Sequence, residues 1–418
     1  MILSTSCTIF RLLFQFGGIA SILPMVLQQI PAMEILHLHS NRFKITIAIA
    51  LVMIFAVIFL TLLFASGRTF TVIPPEPFII SAEPRTNKSI DISIVIVLAN
   101  GTTASNYQSA LNSVRKYSSL HGYRLLVEND DKYKECSRHK DKFFKRHCHT
   151  LQLMLNELRE SSYVLFIDAD VGVVNPNKLI EEFIEPEFDI YLYNRYNNLE
   201  YAAQYLIKNN ENTREWIAMW ADMEFTSPKS FHETDNVALH ILMMHYLVPE
   251  TKGEESKIGK LCHTIWEKSE NVEDLFTLRA CTRMMIGDMS EFPEERVKIF
   301  PKGQGWARDI WILRSRWSTD DFMLHDVREE RLHPEKVPQD SVHYNLILSE
   351  EDKYAYPLAF PILNISETEG GKQIWTMDGR FLISTAWREK ILRRLLIKKW
   401  KQQYRNLGEN ISKFMRIA

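Results

Sequence analysis

Residues 163–176, YVLFIDADVGVVNP, constrain the fold of this chain more than any other stretch. An apolar run leads directly into Asp168 and Asp170, and a second apolar run follows. Unbroken Val, Ile, Leu and Phe residues of this kind predict a strand buried on both faces of an α/β sheet. Two carboxylates at the end of such a strand are costly to bury without a partner, and the simplest partner is a divalent cation. The alternative is that both aspartates cap a turn and bind nothing.

The order of predicted elements around this strand indicates a doubly wound α/β sheet. Strands are predicted at 92–99 and 123–128, and helices at 107–121 and 143–158, before the aspartate strand itself. In such sheets ligands bind at the carboxyl ends of the strands. No Gly-x-Gly-x-x-Gly motif follows the first strand, so the usual dinucleotide fingerprint is missing. The remaining predicted elements are strands at 188–193, 204–208 and 297–300 and helices at 212–220 and from about 231.

The amino-terminal part of the chain predicts a membrane anchor. Residues 45–65 contain no charge and are long enough to cross a hydrocarbon core of ~30 Å as a helix. Arg11, Arg42 and Lys44 precede this run and favour a cytoplasmic amino end, with the bulk of the chain in the lumen. A buried soluble helix is the alternative. Residues 12–30 are also uncharged, and a second span there would return the large domain to the cytoplasm.

Glycosylation motifs and cysteines also favour a lumenal location. Four acceptor sequons begin at Asn87, Asn100, Asn364 and Asn410. Beyond the predicted span, four cysteines form two local pairs, Cys136 with Cys148 and Cys262 with Cys281. The pairs suit disulfides in an oxidising compartment, and buried free thiols are the alternative.

Composition and patterning divide the chain into five segments. These are a cytoplasmic segment 1–44, a transmembrane helix 45–65, a proline-containing stem 66–89, an α/β domain 90–345 and an extension 346–418. The extension carries a basic helix from about residue 391, which either lies on the protein surface or contacts anionic lipid. The formal net charge is only -2, and the zinc-spacing and basic-helix motifs of nucleic-acid-binding proteins are missing, so no nucleic-acid partner is predicted.

Four segments in order resemble GT-A-fold glycosyltransferases: YSSLHGYRLLVEND, YVLFIDADVGVVNP, AAQYLIKNNENTREW and TDNVALH. The nearest characterised group contains yeast α-1,2-galactosyltransferases, mannan-polymerase subunits and plant xyloglucan xylosyltransferases. From about residue 90 to 328, including PKGQGWARD and DFMLH, the chain resembles more closely a nematode-expanded family of membrane-anchored proteins without an assigned biochemical function. The resemblance implies a GT-A-like mixed sheet flanked by helices. It also implies a retaining transferase of the Golgi or endoplasmic reticulum that uses Mn²⁺ and a nucleotide-sugar to modify a glycan or glycoprotein acceptor.

The resemblance also assigns a metal site. Asp168 would face the nucleotide ribose or the metal, Asp170 would ligate the metal, and His325 would complete the set of ligands. Oxygen ligands with one imidazole suit Mn²⁺ and leave places for diphosphate oxygens. A purely structural role for His325 is the alternative.

Donor-binding residues follow from the same resemblance. Asp235 and Asn236 match a pair that lies beneath the donor sugar, where a carboxylate can stabilise oxocarbenium character at the anomeric carbon. Glu224 is the alternative carboxylate, and Asp235 as a simple helix cap is the alternative role. Arg308 could hold a phosphate oxygen, or could be a surface residue of a turn.

Two positions depart from the related sequences. Gln204 stands where a small residue is common, and Asp326 follows His325 where the closer family tends to have glycine. Both departures keep open a catalytically inactive binding protein on the same scaffold. A phosphohydrolase of the haloacid-dehalogenase kind, with Asp168 as nucleophile, is a third possibility, but Val-Gly follows Asp170 where that class has Gly-Thr.

Overall fold

A computed structural model describes residues 51–53, 55, 76–85, 90–196, 199–231, 234–248, 256–333, 358–405 and 407–416. The predicted cytoplasmic segment, the possible second span and nearly all of the predicted transmembrane helix lie outside the described residues. None of the helices within these ranges has the length and apolarity needed to cross a bilayer. Residues 75–418 form one compact unit, and the site belongs to it.

The described strands and helices alternate along much of the chain, as predicted. The strands are β1 Phe78–Ala82, β2 Ile92–Leu98, β3 Arg124–Asn129, β4 Tyr163–Phe166, β5 Gly172–Val173, β6 Ile190–Tyr193, β7 Tyr205–Lys208, β8 Glu291–Phe292, β9 Val297–Phe300, β10 Ala307–Asp309, β11 Met323–His325, β12 Ile362–Glu367 and β13 Gln373–Met377. The helices are α1 Gln108–His121, α2 Lys142–Asn156, α3 Glu211–Thr226, α4 Thr234–Leu247, α5 Lys257–Lys268, α6 Val272–Ile286, α7 Glu329–Leu332, α8 Thr385–Arg405 and α9 Leu407–Met415.

The central sheet is mixed and has the strand order β3-β2-β4-β7-β6-β9-β8. Strand β4 pairs in parallel with β2 and antiparallel with β7, so it lies inside the sheet. Every residue of β4 is buried, as its unbroken apolar sequence predicts. The expected mixed α/β class is therefore confirmed.

Successive residues of β4 pack into two different apolar clusters, one on each face of the sheet. Val164 and Phe166 pack in a cluster that contains residues of α2 to α6, including the fully buried Trp216 and Trp220. Leu165 packs in a second cluster with α1 and the small sheet β10-β11-β5. Both faces of the strand are thus covered, and only the loop at its carboxyl end can present polar side chains.

Capping side chains set the start of the two helices that flank this cluster. The Asp141 carboxylate accepts a hydrogen bond from the backbone N–H of Phe143 at 2.7 Å, where α2 begins. Asn210 accepts one from Thr213 N–H at 3.0 Å at the start of α3. Such caps satisfy N–H groups that the first helical turn leaves without partners. The start of α2 matters for function because Arg146 lies in its first turns.

A sheet of three antiparallel strands brings together the predicted stem and the predicted carboxyl-terminal extension. Strand β1, from the predicted stem, pairs with β13 from the predicted extension, and β12 pairs on the other side. Trp375 and Met377 of β13 are fully buried in the same cluster as helix α1. Residues near both ends of the 75–418 unit therefore contribute to its core.

Replacing Trp375 by alanine is expected to lower the free energy of unfolding by about 3–5 kcal/mol, since it removes a fully buried indole. Trp387, which is 41% exposed on α8, provides the matched control and should cost less than ~1 kcal/mol. Denaturant unfolding followed by fluorescence measures both values. Equal costs for the two variants would show that the β1-β13-β12 sheet is not part of the stable core.

Both local cysteine pairs are disulfide bonds in the structure. Cys136, just before α2, is bonded to Cys148 within it, and Cys262 of α5 is bonded to Cys281 of α6. Helices α5 and α6 themselves were not predicted. Buried polar residues such as Asp274 and Arg279 interrupt the apolar pattern of α6, which is why its sequence lacks a clear helical period.

Candidate metal and donor site

The candidate site forms where β4, β10 and β11 end. Asp168 and Asp170 lie in the loop between β4 and β5, and His325 is the last residue of β11. Strand β11 pairs antiparallel with β5, with Leu324 opposite Gly172, which brings His325 next to the aspartate loop. Sheet pairing between distant parts of the chain therefore brings together the three residues that were predicted to be metal ligands.

The three side chains are close enough to share one ion. The Nε2 atom of His325 lies 3.3 Å from Oδ1 of Asp170 and 3.6 Å from Oδ2 of Asp168. One ligand atom from each residue falls within 4.8 Å of the other two. Neighbouring ligands around an octahedral ion with bonds of about 2.1 Å stand roughly 3 Å apart, so these spacings fit a divalent cation.

The hydrogen bonds of Asp170 give a second reason to place a cation here. Its side chain is only 6% exposed, and Oδ2 accepts a hydrogen bond from Arg328 Nε at 2.8 Å. The other oxygen, Oδ1, is buried and accepts no hydrogen bond from the described residues, but the His325 imidazole lies 3.3 Å away and forms an ion pair with it while protonated. Once Nε2 of His325 loses its proton, this buried oxygen needs another positive partner, and a metal ion is the partner that this donor set fits. Burial by itself raises the pKa of Asp170, but the charges of His325 and Arg328 hold it well below its usual range.

The imidazole of His325 carries a proton at neutral pH when no metal is bound. Burial alone lowers its pKa, but the neighbouring carboxylates of Asp170 and Asp309 raise it to about 10. Because this value exceeds the ordinary pKa of ~6.5, the protonated imidazole stabilises the metal-free fold below pH ~6.5. That contribution is lost as the pH rises through about 10.

Binding of Mn²⁺ near neutral pH is therefore expected to release about one proton, since a metal-bound imidazole must be neutral. The affinity should rise with pH, by up to about tenfold per unit, until the pKa of His325 is passed. Calorimetric titrations in two buffers with different protonation enthalpies measure the released proton. A His325→Gln variant should release none, and a pH-independent affinity in the unaltered chain would contradict the assignment.

Arg146 links the metal triad to Asp235. Its Nη1 donates to Oδ1 of Asp168, while Nε and Nη2 donate to Oδ2 of Asp235 at 3.2 and 2.6 Å. His147 Nε2 lies 2.9 Å from the same oxygen of Asp235, and the His147 ring stacks on Trp220. Asp235 is fully buried, and although burial raises its pKa, Arg146 and His147 hold the pKa below its usual value. Direct contact between Asp235 and a donor sugar stays a prediction, and it would require Arg146 to move.

Gln204 has a definite role in this arrangement. It is 1% exposed, its Nε2 donates to Oδ2 of Asp168 at 3.2 Å, and its Oε1 accepts from the Tyr193 hydroxyl at 3.2 Å. Each oxygen of Asp168 thus accepts a hydrogen bond, Oδ1 from Arg146 and Oδ2 from Gln204. A small residue at position 204 could not make this contact, so Gln204 contributes to the orientation of Asp168 in this chain.

Arg308 and Glu224 are engaged elsewhere in the structure. Nε and Nη2 of Arg308 form a bidentate pair with Asp321 at 2.9 and 3.0 Å, and the side chain is buried. Glu224 accepts from the backbone N–H groups of residues 140 and 141 and lies 2.9 Å from His139 Nδ1. These contacts test neither the predicted role of Arg308 in donor binding nor that of Glu224 as the alternative catalytic carboxylate.

Asn236 has a free acceptor beside Asp235. Its Oδ1 is buried without a hydrogen-bond partner in the described part of the chain. An amide oxygen without a partner can accept a hydrogen bond from a hydroxyl group of a ligand. This is compatible with the donor-binding role predicted for Asn236.

The structure shows how an aspartate is accommodated at position 326, where the closer family tends to have glycine. The φ of Asp326 is 74° and lies in the left-handed region, which glycine adopts without strain. The Asp326 carboxylate forms ion pairs with Arg331 and with Arg328, the latter at 3.2 Å. These contacts offset the backbone cost at this position and tie the residue after His325 to α7.

Four functional candidates were not singled out from the sequence: Arg146, Arg195, Asp309 and Arg328. Arg328 follows His325 by three residues, and Asp309 ends the quoted motif PKGQGWARD, so both were within stretches already noted. Arg146 and Arg195 have no local signal, because their partners Asp235 and Asp309 lie far away in the sequence.

Three solved structures show a weak similarity to the chain. A glycosyltransferase involved in glycosylation of the major capsid of PBCV-1 matches with a TM-score of 0.33 and 12% identity, over 56% of this chain and 93% of that one. The catalytic domain of Drosophila beta1,4-galactosyltransferase 7 in complex with xylobiose matches with a TM-score of 0.26 and 9% identity, over 69% and 93%. A mutant of the same enzyme in complex with manganese, UDP-Gal and xylobiose gives 0.26 and 10% over the same shares. No curated protein sequence matches the chain.

One sequence family covers more than half of the chain and includes every residue of the triad. Its description is "Protein of unknown function, DUF273", and its profile matches residues 114–343. The chain belongs to this family of unknown function.

Proposed function

We propose that the chain is a membrane-anchored glycosyltransferase that transfers a hexose or pentose from a nucleotide-sugar to a glycan or glycoprotein. Convergence of Asp168, Asp170 and His325 at the end of a buried central strand carries the proposal. Oδ1 of Asp170, which is buried and faces Nε2 of His325 at 3.3 Å, supports a cation that would take the place of the imidazole proton. Carboxylate oxygens and one imidazole fit Mn²⁺, which when bound would offset the charge of a departing nucleoside diphosphate.

Arg328 is the chain's own candidate for the donor diphosphate. Its side chain is 44% exposed and lies against Asp170, so its remaining N–H groups can reach solvent beside the metal ligands. A guanidinium in this position can bind phosphate oxygens through two parallel hydrogen bonds. Arg308 is less suited to the role, because its two-pronged contact is already made with Asp321.

Arg146, Asp168 and Gln204 would form the floor of the donor-sugar site. Arg146 and Gln204 hold Asp168 in place, and Asp235 and His147 hold Arg146. Asn236 has a buried acceptor oxygen beside this group. With the retaining outcome that the resemblance implies, Asp235 would supply negative charge near the anomeric carbon once Arg146 moves aside.

A lumenal location agrees with two features of the described residues. Two disulfides join the pairs Cys136–Cys148 and Cys262–Cys281, as is usual for proteins of oxidising compartments. The acceptor asparagines Asn100 and Asn364 are exposed, as glycosylation requires. We therefore assign the chain to the Golgi or endoplasmic-reticulum lumen as a type II protein anchored by residues 45–65.

A panel of UDP- and GDP-sugars tests the proposal by thermal unfolding of the chain with Mn²⁺ or with a chelator. At least one nucleotide-sugar should raise the unfolding temperature, only with Mn²⁺ and not in an Asp170→Asn variant. Stabilisation by none of the common nucleotide-sugars would overturn the proposal. A biological activity that persists in Asp170→Ala and Asp235→Ala variants would instead favour the inactive binding protein.

A further inference from the structure

A row of charged side chains leads away from the metal ligand His325. Its Nδ1 lies 2.7 Å from Oδ1 of Asp309, and the same oxygen accepts from Nη2 of Arg195 at 2.8 Å. Nη1 of Arg195 then pairs with Glu200 at 3.2 Å, and Glu200 pairs with Arg279 at 3.0 Å. The row connects the end of β11 to helix α6.

Strand pairing fixes the first contact of this row. Asp309 and His325 end the parallel strands β10 and β11 and face each other in the sheet register. Arg195 follows β6, where an isolated bridge between Asn194 and Tyr201 closes a loop around it. The strand register therefore places residue 309 beside residue 325. The aspartate at position 309 puts a carboxylate next to the imidazole of His325.

The charges in this row are expensive to bury. The side chains of Asp309, Glu200 and Arg279 are 4%, 7% and 4% exposed. Moving an ion out of water into a protein costs several kcal/mol even after partial compensation. A backbone carbonyl could accept the Nδ1 proton of His325 without such a cost, so orientation alone does not require a buried carboxylate.

A carboxylate at Asp309 adds something that a carbonyl lacks. It accepts a hydrogen bond from the N–H at Nδ1 of His325. The other nitrogen, Nε2, faces Asp168 and Asp170 and is left to bind the metal. The negative charge of Asp309 also makes the imidazole a stronger ligand, as in carboxylate–histidine–metal arrangements generally. Arg195, held in turn by Glu200, keeps Asp309 ionised and fixed.

We propose that Asp309 is a positioning residue for the metal ligand His325, and that Arg195 and Glu200 hold it in place. The proposal rests on the metal site proposed above and extends the functional unit from three ligands to a connected row that reaches α6. Removing the charge of Asp309 should therefore weaken metal binding although Asp309 itself touches no metal.

The test is the Mn²⁺ affinity of an Asp309→Asn variant, measured by calorimetry and by the loss of free-ion EPR signal. The affinity should fall by about 10- to 100-fold. Asp321→Asn is the matched control: Asp321 is 1% exposed at the side chain and pairs with Arg308 and Arg388, without a described contact to His325. Both variants should lower the unfolding temperature, but only Asp309→Asn should weaken Mn²⁺ binding.

The outcomes separate this inference from the proposed function. If the unaltered chain binds Mn²⁺ and Asp309→Asn binds it equally well, the positioning role is wrong and the metal site stands. If the unaltered chain binds no Mn²⁺, both fail. Should Asp309→Asn not fold, Arg195→Lys provides the same test, because lysine keeps the charge but lacks the planar guanidinium whose Nη1 and Nη2 pair separately with Glu200 and Asp309. An unchanged affinity in that variant would also overturn the inference, whereas a several-fold loss would support it.

Discussion

An Asp170→Asn variant is expected to bind Mn²⁺ at least about 100-fold more weakly than the unaltered chain. The substitution removes the negative charge from the most buried of the three ligands and replaces it with an amide of nearly the same shape. Among the described residues Oδ1 of Asp170 accepts no hydrogen bond, and its ion pair with the protonated His325 imidazole at 3.3 Å is the internal contact that the substitution weakens. Calorimetric titration with Mn²⁺ measures the change.

Asp189→Asn is the matched control for this prediction. Asp189 is also buried and also accepts a hydrogen bond from an arginine Nε, that of Arg296, at 2.8 Å. The same loss of charge there should leave the Mn²⁺ affinity unchanged. If the two variants bind Mn²⁺ alike, Asp170 is not a ligand.

An Arg146→Met variant is expected to lower the free energy of unfolding by about 3–5 kcal/mol, because Asp235 would stay buried with only His147 and the Thr234 hydroxyl as described partners. The side chains of Arg146 and Asp235 are 12% and 0% exposed, so solvent cannot replace the lost contact. Denaturant unfolding measures the cost. The cost should also shrink at acid pH, because the stabilisation that is lost comes from the depressed pKa of Asp235: in the unaltered chain it is present above the unfolded value of ~3.9 and disappears as the pH falls through the folded value.

Arg138→Met serves as the control for Arg146. Arg138 pairs with Asp222, but the two side chains are 56% and 44% exposed, and exposed pairs contribute little. Its replacement should cost less than ~1 kcal/mol. A similar cost for both variants would mean that the Arg146–Asp235 pair does not organise the site.

The sequence predicted those parts of the fold that depend on local pattern. The apolar run before Asp168 predicted the buried strand β4, and the alternation of apolar runs and helical periods predicted β2, α1, β3 and α2. The ordered motifs also nominated Asp168, Asp170 and His325, which the structure brings together. The mixed α/β class follows from these elements.

Contacts between distant segments could not be predicted in the same way. Pairing of β1 with β13 depends on a register between residues 78–82 and 373–377, which no local signal specifies. Asp309 reaches His325 only because β10 and β11 are neighbours, and Arg146 reaches Asp235 only because α2 packs near the start of α4. The residues missed at the site are the ones whose role is to hold another side chain.

Pulsed EPR on Mn²⁺ bound to the chain together with UDP or GDP tests the central claim most directly. We predict hyperfine coupling of the ion to one imidazole nitrogen, lost in His325→Gln, and to phosphorus of the diphosphate. A spectrum of fully hydrated Mn²⁺, or of bound Mn²⁺ without phosphorus coupling, would contradict a metal that joins the acidic loop after β4 to a nucleotide donor.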